Sequence, residues 1–371
     1  MKITFPHMGN VYIAAKTLLD EVGADYVIPA FNNKKALEIG TKYAPEMACL
    51  PLKINLGNYI QAYKQGADTI MITGGCGPCR FGYYGELEKE ILEDIGYKMD
   101  LITLEVPNGD LREFLRRIKK LTGNLNAYKI LKAAKNTAEV AKSVDELEKL
   151  TYKIRPREIN KGSTDKIYKD FQNKVKSVKG ASEVKQLIKE TRDKLLEVEI
   201  DKDYKPLKVG IVGEIYTTID PFSNLSIESK LGRMGIEVDR CITISGWISE
   251  HIIKKALHLP RDLRYVEAAK PYLGTMIGGH AQETIGDTVL YARDGYDGVV
   301  QVYPLTCMPE IVAESILPAV ERDLDIPILT LIIDEMTGEA GYLTRVEAFV
   351  DLLKKRRERG LVEEKRILYG N

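Results

Sequence analysis

Cysteine gives this sequence its clearest chemical signal, because four of the five copies stand in short loops rich in Gly and Pro. They are Cys49 in ACLPLK, Cys76 and Cys79 in GGCGPCRFGYY, and Cys307 in YPLTCMPE. Each is expected where a strand ends and a helix begins, and free N–H groups and the helix dipole stabilise thiolates there. Thiolates hold metals and iron–sulfur clusters. The pattern therefore predicts four sulfurs gathered around one inorganic centre.

Two other readings of the cysteines stay open. The CGPC segment from Cys76 to Cys79 also has the spacing of a thioredoxin-type redox dithiol, but glycines replace the usual preceding aromatic residue. That reading leaves Cys49 and Cys307 without a role. Structural zinc accepts four cysteines, although such sites usually pair two CxxC-like knuckles. The fifth cysteine, Cys241 in VDRCITI, is predicted to be a buried core residue outside the site.

Eight further residues stand beside these loops or at predicted strand ends and are candidates for contact with the centre. They are His7, Gly9, Asn10, Lys53, Gly75, Gly77, Arg80 and His280. The cations Lys53 and Arg80 would offset the negative charge of a thiolate-bound cluster, and backbone amides of the glycines would donate to sulfur. For His7 and His280 a purely structural role is equally open.

The elements that must position these residues divide the chain into three parts. Residues 1–108 and 205–371 alternate apolar strands with helices, which predicts an α/β fold with two doubly wound parallel-sheet domains of the Rossmann or flavodoxin-like kind. Residues 109–204 form a basic helical segment between them. Sites in such sheets lie outside the carboxyl ends of the strands. Because Cys76 and Cys79 belong to the first domain and Cys307 to the second, the centre is expected in the cleft between domains.

Composition excludes several other classes of protein. The chain has 371 residues, 44% of them hydrophobic, and a net charge of zero, so it is globular and has no general attraction for nucleic acid or membranes. Residues 111–200 carry 17 Lys and 6 Arg against 13 Asp and Glu, which is either a docking face for an acidic partner or CoA-like phosphate, or a solvated helical surface. No signal peptide or membrane-length apolar run is recognisable, and a cytoplasmic location is expected.

Six segments together give a family resemblance: PHMGN, CLPLK, GGCGPCRFGYYGE, GGHAQETIG, YPLTCMPEIV and DEMTGEAGYLTRVEAFVDLL. They resemble the acyl-CoA dehydratase activase-related proteins, within the 2-hydroxyacyl-CoA dehydratase and double-cubane cluster protein superfamily of anaerobes. The resemblance implies an oxygen-sensitive iron–sulfur protein of low potential that receives electrons from a separate ATP-hydrolysing activase. It maps the cluster cysteines onto Cys49, Cys76, Cys79 and Cys307, and implies a homodimer.

The resemblance also implies the type of centre. Four cysteines would close a single [4Fe–4S] cluster, which favours electron transfer, whereas the dehydratases leave one iron open for an acyl-CoA substrate. A double-cubane [8Fe–9S] cluster needs more cysteines than these loops supply. The expected function is therefore ATP-linked, low-potential electron transfer. The alternatives are a 2-hydroxyacyl-CoA dehydratase-like or small-molecule reductase enzyme with a substrate-accessible cluster, and a CGPC dithiol or structural zinc protein.

Overall fold

The secondary structure alternates between strands and helices at both ends of the chain and is helical in the middle. The structure is a computed structural model that describes residues 1–73, 79–104, 111–123, 126–250 and 262–369. Its strands are β1 (Ile3–Thr4), β2 (Thr69–Ile72), β3 (Asp100–Thr103), β4 (Leu207–Gly213), β5 (Ile236–Arg240), β6 (Gly298–Pro304) and β7 (Ile328–Ile333). Its helices are α1 (Val11–Val22), α2 (Lys34–Tyr43), α3 (Leu50–Tyr63), α4 (Phe81–Asp94), α5 (Leu111–Thr122), α6 (Ala127–Ile154), α7 (Ser163–Lys174), α8 (Gly180–Leu196), α9 (Ile215–Ile219), α10 (Ile227–Arg233), α11 (Ile244–Ile248), α12 (Arg264–Ala269), α13 (Ala281–Arg293), α14 (Met308–Leu324) and α15 (Glu339–Tyr369).

The first sheet is parallel, with the strand order β1-β2-β3. All four residues of β2 are buried, as expected for a strand covered on both faces. Ile70 and Ile72 pack against α3 and α4, whereas Met71 packs on the opposite face against α1 and the helical segment. Helices therefore cover both faces of this sheet, which confirms the doubly wound prediction.

The second sheet is also parallel, with the order β5-β4-β6-β7. The central strand β6 is buried throughout and rich in Val. One face of the sheet packs against α10 and α15, and the other face packs against α13 and α14. After β4 the chain forms β5 on one side and then β6 and β7 on the other side, so the strand order reverses between β4 and β6. A site is expected at this point in this class of fold.

The helical segment packs against both sheets. The sheet β1-β2-β3 with its helices is called the first unit, and the sheet β5-β4-β6-β7 with its helices the second unit. Val140, Val144 and Leu147 of α6 share one apolar core with Ile3 and Phe5 of the first unit. On the other side, α6 also contacts β5 and α11 of the second unit. Residues 109–204 thus form a bridge with a buried face on each side. The three domain boundaries given above remain predictions.

A buried ion network fixes this bridge. Arg240 at the end of β5 is 2% exposed, and its guanidinium bonds Glu148 Oε2 of α6 at 2.6 Å and Glu228 Oε1 of α10 at 3.1 Å. Asn10 Nδ2 at the start of α1 donates to the other oxygen of Glu148 at 3.0 Å. Buried charges persist only when they are paired in this way. The network therefore joins the two α/β units through α6.

Some local predictions differ from the structure. The sequence pattern predicts a strand at Asp25–Ile28, but the structure has only a single bridge there, between Tyr26 and Ile3. The pattern also predicts a helix from Leu56, whereas α3 begins at Leu50, because Pro51 is favourable in the first turn. Part of the helical stretch expected over Ile248–Leu273 lies outside the described residues, and what is described there is α11 and α12. Within the described part of the chain, none of the helices combines the length and the apolar character that a membrane span requires.

Candidate functional site

Cys49 is held at the start of α3 by a close crossing of two helices. A side chain on Gly40 of α2 would collide with Lys53 O, and one on Gly57 of α3 with Ala36 O, so glycine at both positions lets α2 and α3 cross with their backbones in contact. Cys49 is the N-cap residue of α3. Its Sγ lies 2.5 Å from the hydroxyl oxygen of Tyr84 on α4. Cys49 therefore lies in the connection between the paired helices α2 and α3, and follows a helix instead of the predicted strand.

Cys79 stands just before α4, next to Arg80, which links the two cysteine-bearing halves of the chain. The Arg80 guanidinium donates to Met47 O at 3.1 Å, two residues before Cys49. It also donates to Thr306 O at 2.7 Å and Thr306 Oγ1 at 3.0 Å, one residue before Cys307. The fork of Arg80 thus connects the loops that carry Cys49 and Cys307.

Cys307 lies between β6 and α14, at the carboxyl edge of the second sheet. It is the N-cap residue of α14, and the nearby backbone N–H of Glu310 lowers the pKa of its thiol, against the larger effect of burial. Thr306 before it adopts φ +71°, a left-handed conformation that is rare for a β-branched residue. The Arg80 bonds and a Thr306 Oγ1 bond to Met47 O at 3.2 Å hold it there. Such local strain is typical of functional loops.

These three thiols lie within electrostatic range of one another, although they come from both halves of the chain. Burial raises the pKa of Cys49 to about 12, and the neighbouring Cys79 adds to that rise. Burial likewise raises the pKa of Cys79, and that of Cys307 still further above its ordinary value, with Cys49 contributing to the latter. Cys49 and Cys307 are N-cap residues, and Cys79 stands one residue before the N-cap Arg80. In the protein without a bound centre, desolvation raises the thiol pKa values more than the N–H groups lower them.

One carboxylate faces all three thiols. Glu214 follows β4, is 8% exposed, and its charge raises the pKa of Cys49, Cys79 and Cys307 in addition to burial. Arg80 acts in the opposite sense and lowers the pKa of Cys49 and Cys79. Cys49 and Cys79 are therefore within electrostatic range of both a carboxylate and a guanidinium.

A second carboxyl lies one helical turn beyond Cys307. Glu310 is completely buried, and its carboxylate oxygens accept hydrogen bonds from Gln301 Nε2 and Thr284 Oγ1, each at 3.0 Å. Burial raises its pKa to about 7, although Gln301 and the charge of His280 oppose the rise. His280 itself caps α13 and lies 3.6 Å from Glu283. The predicted site residue His280 thus lowers the pKa of Glu310, the carboxyl one helical turn beyond Cys307.

The other predicted neighbours make different contacts. Lys53 Nζ is buried in an ion pair with Glu335 Oε1 at 2.5 Å and also donates to Glu46 O. It ties α3 to the DEMTG loop after β7. Its charge is thus already paired with a carboxylate, whereas the prediction assigned it to the sulfurs.

The PHMGN turn joins three parts of the molecule. The His7 ring stacks on Tyr12 with 5.2 Å between centroids, and burial lowers the pKa of His7 to about 4. Gly9 has φ +48° and donates its N–H to Asp220 Oδ2 at 3.1 Å. Asn10 belongs to the buried Arg240 network described above. Through these contacts the turn connects β1 to the helical segment and to the second unit.

Three predicted site residues, Gly75, Cys76 and Gly77, lie outside the described residues. Among the side chains that the structure does describe, no three Cys, His, Asp or Glu groups converge closely enough to bind one metal ion. Cys241 lies apart from the other thiols, beside Asp287 of α13, and burial raises its pKa strongly. That Cys241 stands outside the site stays a prediction.

Sequence reasoning did not identify Glu214, Tyr84 or Glu310. Glu310 would have been the easiest of the three to predict from the sequence, because it stands three residues after an N-cap, the usual position of a capping-box carboxylate. Glu214 follows the strand and Gly turn of LKVGIVGEIY, a position where parallel sheets place functional groups. Tyr83 and Tyr84 are adjacent in the sequence, and only the folded structure shows that Tyr84 is the one that contacts Cys49.

A comparison with protein families finds one match across most of the chain. The family model described as 2-hydroxyglutaryl-CoA dehydratase, D-component, matches residues 11–353. The chain belongs to this family and is a 2-hydroxyacyl-CoA dehydratase-like protein, as the motifs predicted. Among curated protein sequences, none matches the chain.

Proposed function

We propose that this chain holds one [4Fe–4S] cluster through Cys49, Cys76, Cys79 and Cys307, and uses it for low-potential electron transfer. The observation that carries the proposal is that Cys49, Cys79 and Cys307 approach one another from two separate α/β units. Thiols that merely fill a core have no reason to gather from three distant loops. When bound, the cluster would supply a centre that accepts and donates single electrons.

The donor set suits a cluster better than a single zinc ion. Among the described residues, no three Cys, His, Asp or Glu side chains converge on one point, as a single bound ion would require. A cluster of several atoms separates its ligands, whereas zinc draws four sulfurs to about 2.3 Å from one ion. Bound iron would also offset the burial that raises the thiol pKa values, because a coordinating thiol is deprotonated by the metal.

The surrounding residues would orient and tune this centre. With Cys49 bound as a thiolate, the Tyr84 hydroxyl 2.5 Å away would donate to its sulfur, and the backbone N–H groups of Phe81 and Glu310 lie near the sulfurs of Cys79 and Cys307. Hydrogen bonds to sulfur and solvent exclusion are the principal protein effects on cluster potential. Arg80 holds the loop of Cys49 next to the loop of Cys307 through its bonds to Met47 and Thr306.

The proposed electron donor is a separate ATP-hydrolysing activase. Family membership supports this, since the matching model is that of one component of a dehydratase. The phosphate-binding motifs of an ATPase are not recognisable in the sequence, so the nucleotide step belongs to the partner. We propose a homodimer, in a cytoplasmic and anaerobic setting, as the working assembly.

A second candidate function is a dehydratase-like or reductase enzyme that binds acyl-CoA at an open iron. Family membership favours it, because the family is named after a dehydratase. In this case one of the four cysteines would not be a ligand, and substrate would occupy the free position. The two candidates share the same residues and differ in whether added acyl-CoA changes the spectrum of the centre.

The test is metal and sulfide analysis of anaerobically purified protein, with visible and EPR spectra before and after dithionite. About four irons and four sulfides per chain, with a reducible spectrum, are expected. Zinc alone, or a metal-free protein with a reducible Cys76–Cys79 disulfide, would overturn the proposal. A spectral change on adding acyl-CoA would replace electron transfer by the dehydratase-like function.

A further inference from the structure

Strand β7 forms one edge of the second sheet and is paired on one side only. Its residues, Ile328–Ile333, pair in parallel with β6 along their whole length, and no other described strand pairs with them. The carbonyl oxygen of Ile333 accepts from the Leu305 N–H at 2.8 Å, so the backbone groups of Ile333 face β6. Because the backbone groups of successive strand residues alternate in direction, every second residue presents its N–H and C=O to the open side. These residues are Ile328, Thr330 and Ile332.

This outer row of backbone groups is only partly satisfied within the described chain. The Ile328 N–H donates to Glu321 Oε1 at 3.2 Å, and Thr330 O accepts from Arg345 Nη2 at 2.7 Å. For Ile332, neither the N–H nor the carbonyl has a partner among the described residues. Unpaired backbone groups at the edge of a sheet are a template for a further strand.

The other three sheet edges are protected. Strand β1 is bridged by the chain at Tyr26, and Thr103 O of β3 accepts from Arg117 of α5. Strand β5 packs against α6 and carries Glu237, which pairs with Arg157. Charged residues and covering elements are the usual protection of an edge strand. The sequence of β7, ILTLII, contains no charge, which indicates that its edge is covered by another chain.

Exposed apolar side chains lie beside this edge, on the side of α14. The register partner of Ile332 on β6 is Tyr303, whose hydroxyl donates to Glu314 of α14. Neighbours in parallel strands share a face of the sheet, so the exposed side chain of Ile332 points to the α14 side. Ile311, one turn before Glu314, and Met308 before it are exposed as well. A chain that paired with β7 would cover this patch.

Two charges without an ion-pair partner among the described residues flank the edge. Arg345 of α15 is exposed, and its guanidinium reaches the open side of β7 at Thr330 O. Asp334 directly follows β7, and its Oδ1 accepts from the Met336 N–H at 2.9 Å and Thr337 Oγ1 at 2.8 Å, within its own turn. The edge thus has a cation beside its middle and an anion at its carboxyl end. A strand of the same sequence, running antiparallel, complements both charges.

We propose that β7 of a second copy of this chain pairs with this edge in antiparallel direction, about a two-fold axis at Ile332. The two parallel sheets then join into one continuous sheet. In this register, Ile332 lies opposite Ile332 of the second copy, so that the free N–H and C=O groups of both are used. Thr330, which holds Arg345, lies opposite Asp334 of the second copy, and the symmetry makes this charge contact twice.

This inference rests on the proposed function only for the homodimer, whose interface it names. It does not depend on a bound cluster. Met308 follows Cys307 directly in the sequence and belongs to the covered patch. The second copy would therefore also lie close to the loop of Cys307.

The experiment measures the molecular mass of full-length, metal-free protein by size exclusion with light scattering, over a series of dilutions. The unchanged protein is expected to be a dimer that dissociates on dilution. Ile332→Lys sets two like charges opposite each other at the axis and should raise the dissociation constant by about tenfold or more. Leu196→Lys is the matched control, because Leu196 is an exposed apolar residue of α8, and it should dimerise like the unchanged protein. Urea unfolding confirms that each variant folds.

Charge reversal tests the register. Arg345→Asp alone sets carboxylate against carboxylate, and Asp334→Arg alone sets guanidinium against guanidinium. Each variant is therefore expected to be monomeric at concentrations where the unchanged protein is a dimer. An equimolar mixture of the two is expected to form a dimer, because one contact is then the natural pair and the other has its charges exchanged. A mixture of the two folded variants that stays monomeric would overturn the proposed register.

Hydrogen exchange, followed by mass spectrometry, locates the interface directly. The backbone N–H of Ile332 should exchange more slowly in the dimer than at dilutions where the monomer prevails. Equal exchange in both states would overturn the inference, as would a dimer that Ile332→Lys and both charge variants leave intact. In those cases the homodimer stands and has another interface. A protein that is monomeric at every concentration overturns the homodimer together with this inference, whereas iron analysis still decides the cluster proposal independently.

Discussion

The hydroxyl oxygen of Tyr84 lies 2.5 Å from Sγ of Cys49, across the contact between α3 and α4. The contact lowers the pKa of Cys49 while burial raises it, and burial is the larger effect. Tyr84 thus provides a polar partner for a thiol that packs against the apolar core of the first unit.

Replacing Tyr84 by Phe is expected to make Cys49 less reactive. The substitution removes the hydrogen bond that favours the thiolate, so the pKa of Cys49 rises above its present value of about 12. Alkylation of Cys49 in metal-free protein should slow several-fold at a fixed alkaline pH. Tyr83→Phe is the control, because Tyr83 is 56% exposed. Equal rates in both variants would contradict a role for the Tyr84 hydroxyl.

The ligand assignment predicts opposite results for two cysteine variants. Cys307→Ser should abolish iron binding, since it removes a thiol of the gathered set. Cys241→Ser should keep the full iron content, because Cys241 lies beside Asp287 and away from that set. Iron and sulfide analysis after anaerobic purification measures both. Loss of iron from Cys241→Ser alone would show that the assignment is wrong.

Removing Arg80 should loosen the two cysteine-bearing loops. Arg80→Ala deletes three hydrogen bonds to Met47 and Thr306, which is expected to cost about 1–2 kcal/mol of unfolding free energy at this exposed position. Arg80→Lys keeps the charge without the fork and should fall in between. Urea unfolding gives the values.

Arg264→Ala is the reference for that comparison, because Arg264 is 80% exposed and pairs with nearby Asp262. Its loss should change stability by less than about 0.5 kcal/mol. If Arg80→Ala were no more destabilising than Arg264→Ala, Arg80 would not be holding the loops together.

Breaking the buried ion network should be far more costly. Arg240→Ala leaves Glu148 and Glu228 buried without their partner, and such a loss is expected to destabilise the fold by about 3–5 kcal/mol. Combining Arg240→Met with Glu148→Gln and Glu228→Gln removes all three charges and should recover much of that stability. A triple variant as unstable as Arg240→Ala would argue that packing, not charge, accounts for the loss.

Asp287 should make the protein less stable as pH rises. Burial, followed by the charge of Glu283, raises the pKa of Asp287 from 3.8 to about 7. Between those values the folded state keeps a proton that the unfolded state has lost, so stability falls by up to about 4 kcal/mol from the acid to the neutral end of this window. Asp287→Asn should remove that slope from urea unfolding measured across the window. Asp294→Asn, at the exposed end of the same helix, should leave it unchanged.

Sequence patterns predicted the two parallel sheets and most of the helices, because strand burial and helix periodicity are local properties. They also predicted that a helix follows Cys307, whereas the helix after Cys49 begins earlier than predicted; in the structure Pro stands within two residues of each cysteine, a position that favours a helix start. The sheets and helices that position the cysteines are therefore determined largely by short segments of the sequence.

What could not be predicted depends on contacts between distant segments. The burial that raises the thiol pKa values arises only when both units close around the loops. Glu214 lies at the same sheet edge as the Cys307 loop because β4 pairs with β6. Lys53 pairs with Glu335, which is 282 residues away in the sequence. The bridging function of α6 likewise follows from Arg240, whose partners belong to different elements. No local pattern contains this information.

The Thr306–Met47 hydrogen bond joins residues that are 259 positions apart. During synthesis, the loop that carries Cys49 therefore leaves the ribosome long before the loop that carries Cys307. The first unit can form its own core meanwhile, because its sheet needs no strand from the second unit. The gathering of the three thiols is consequently a late event in biogenesis, completed only when nearly the whole chain has been made.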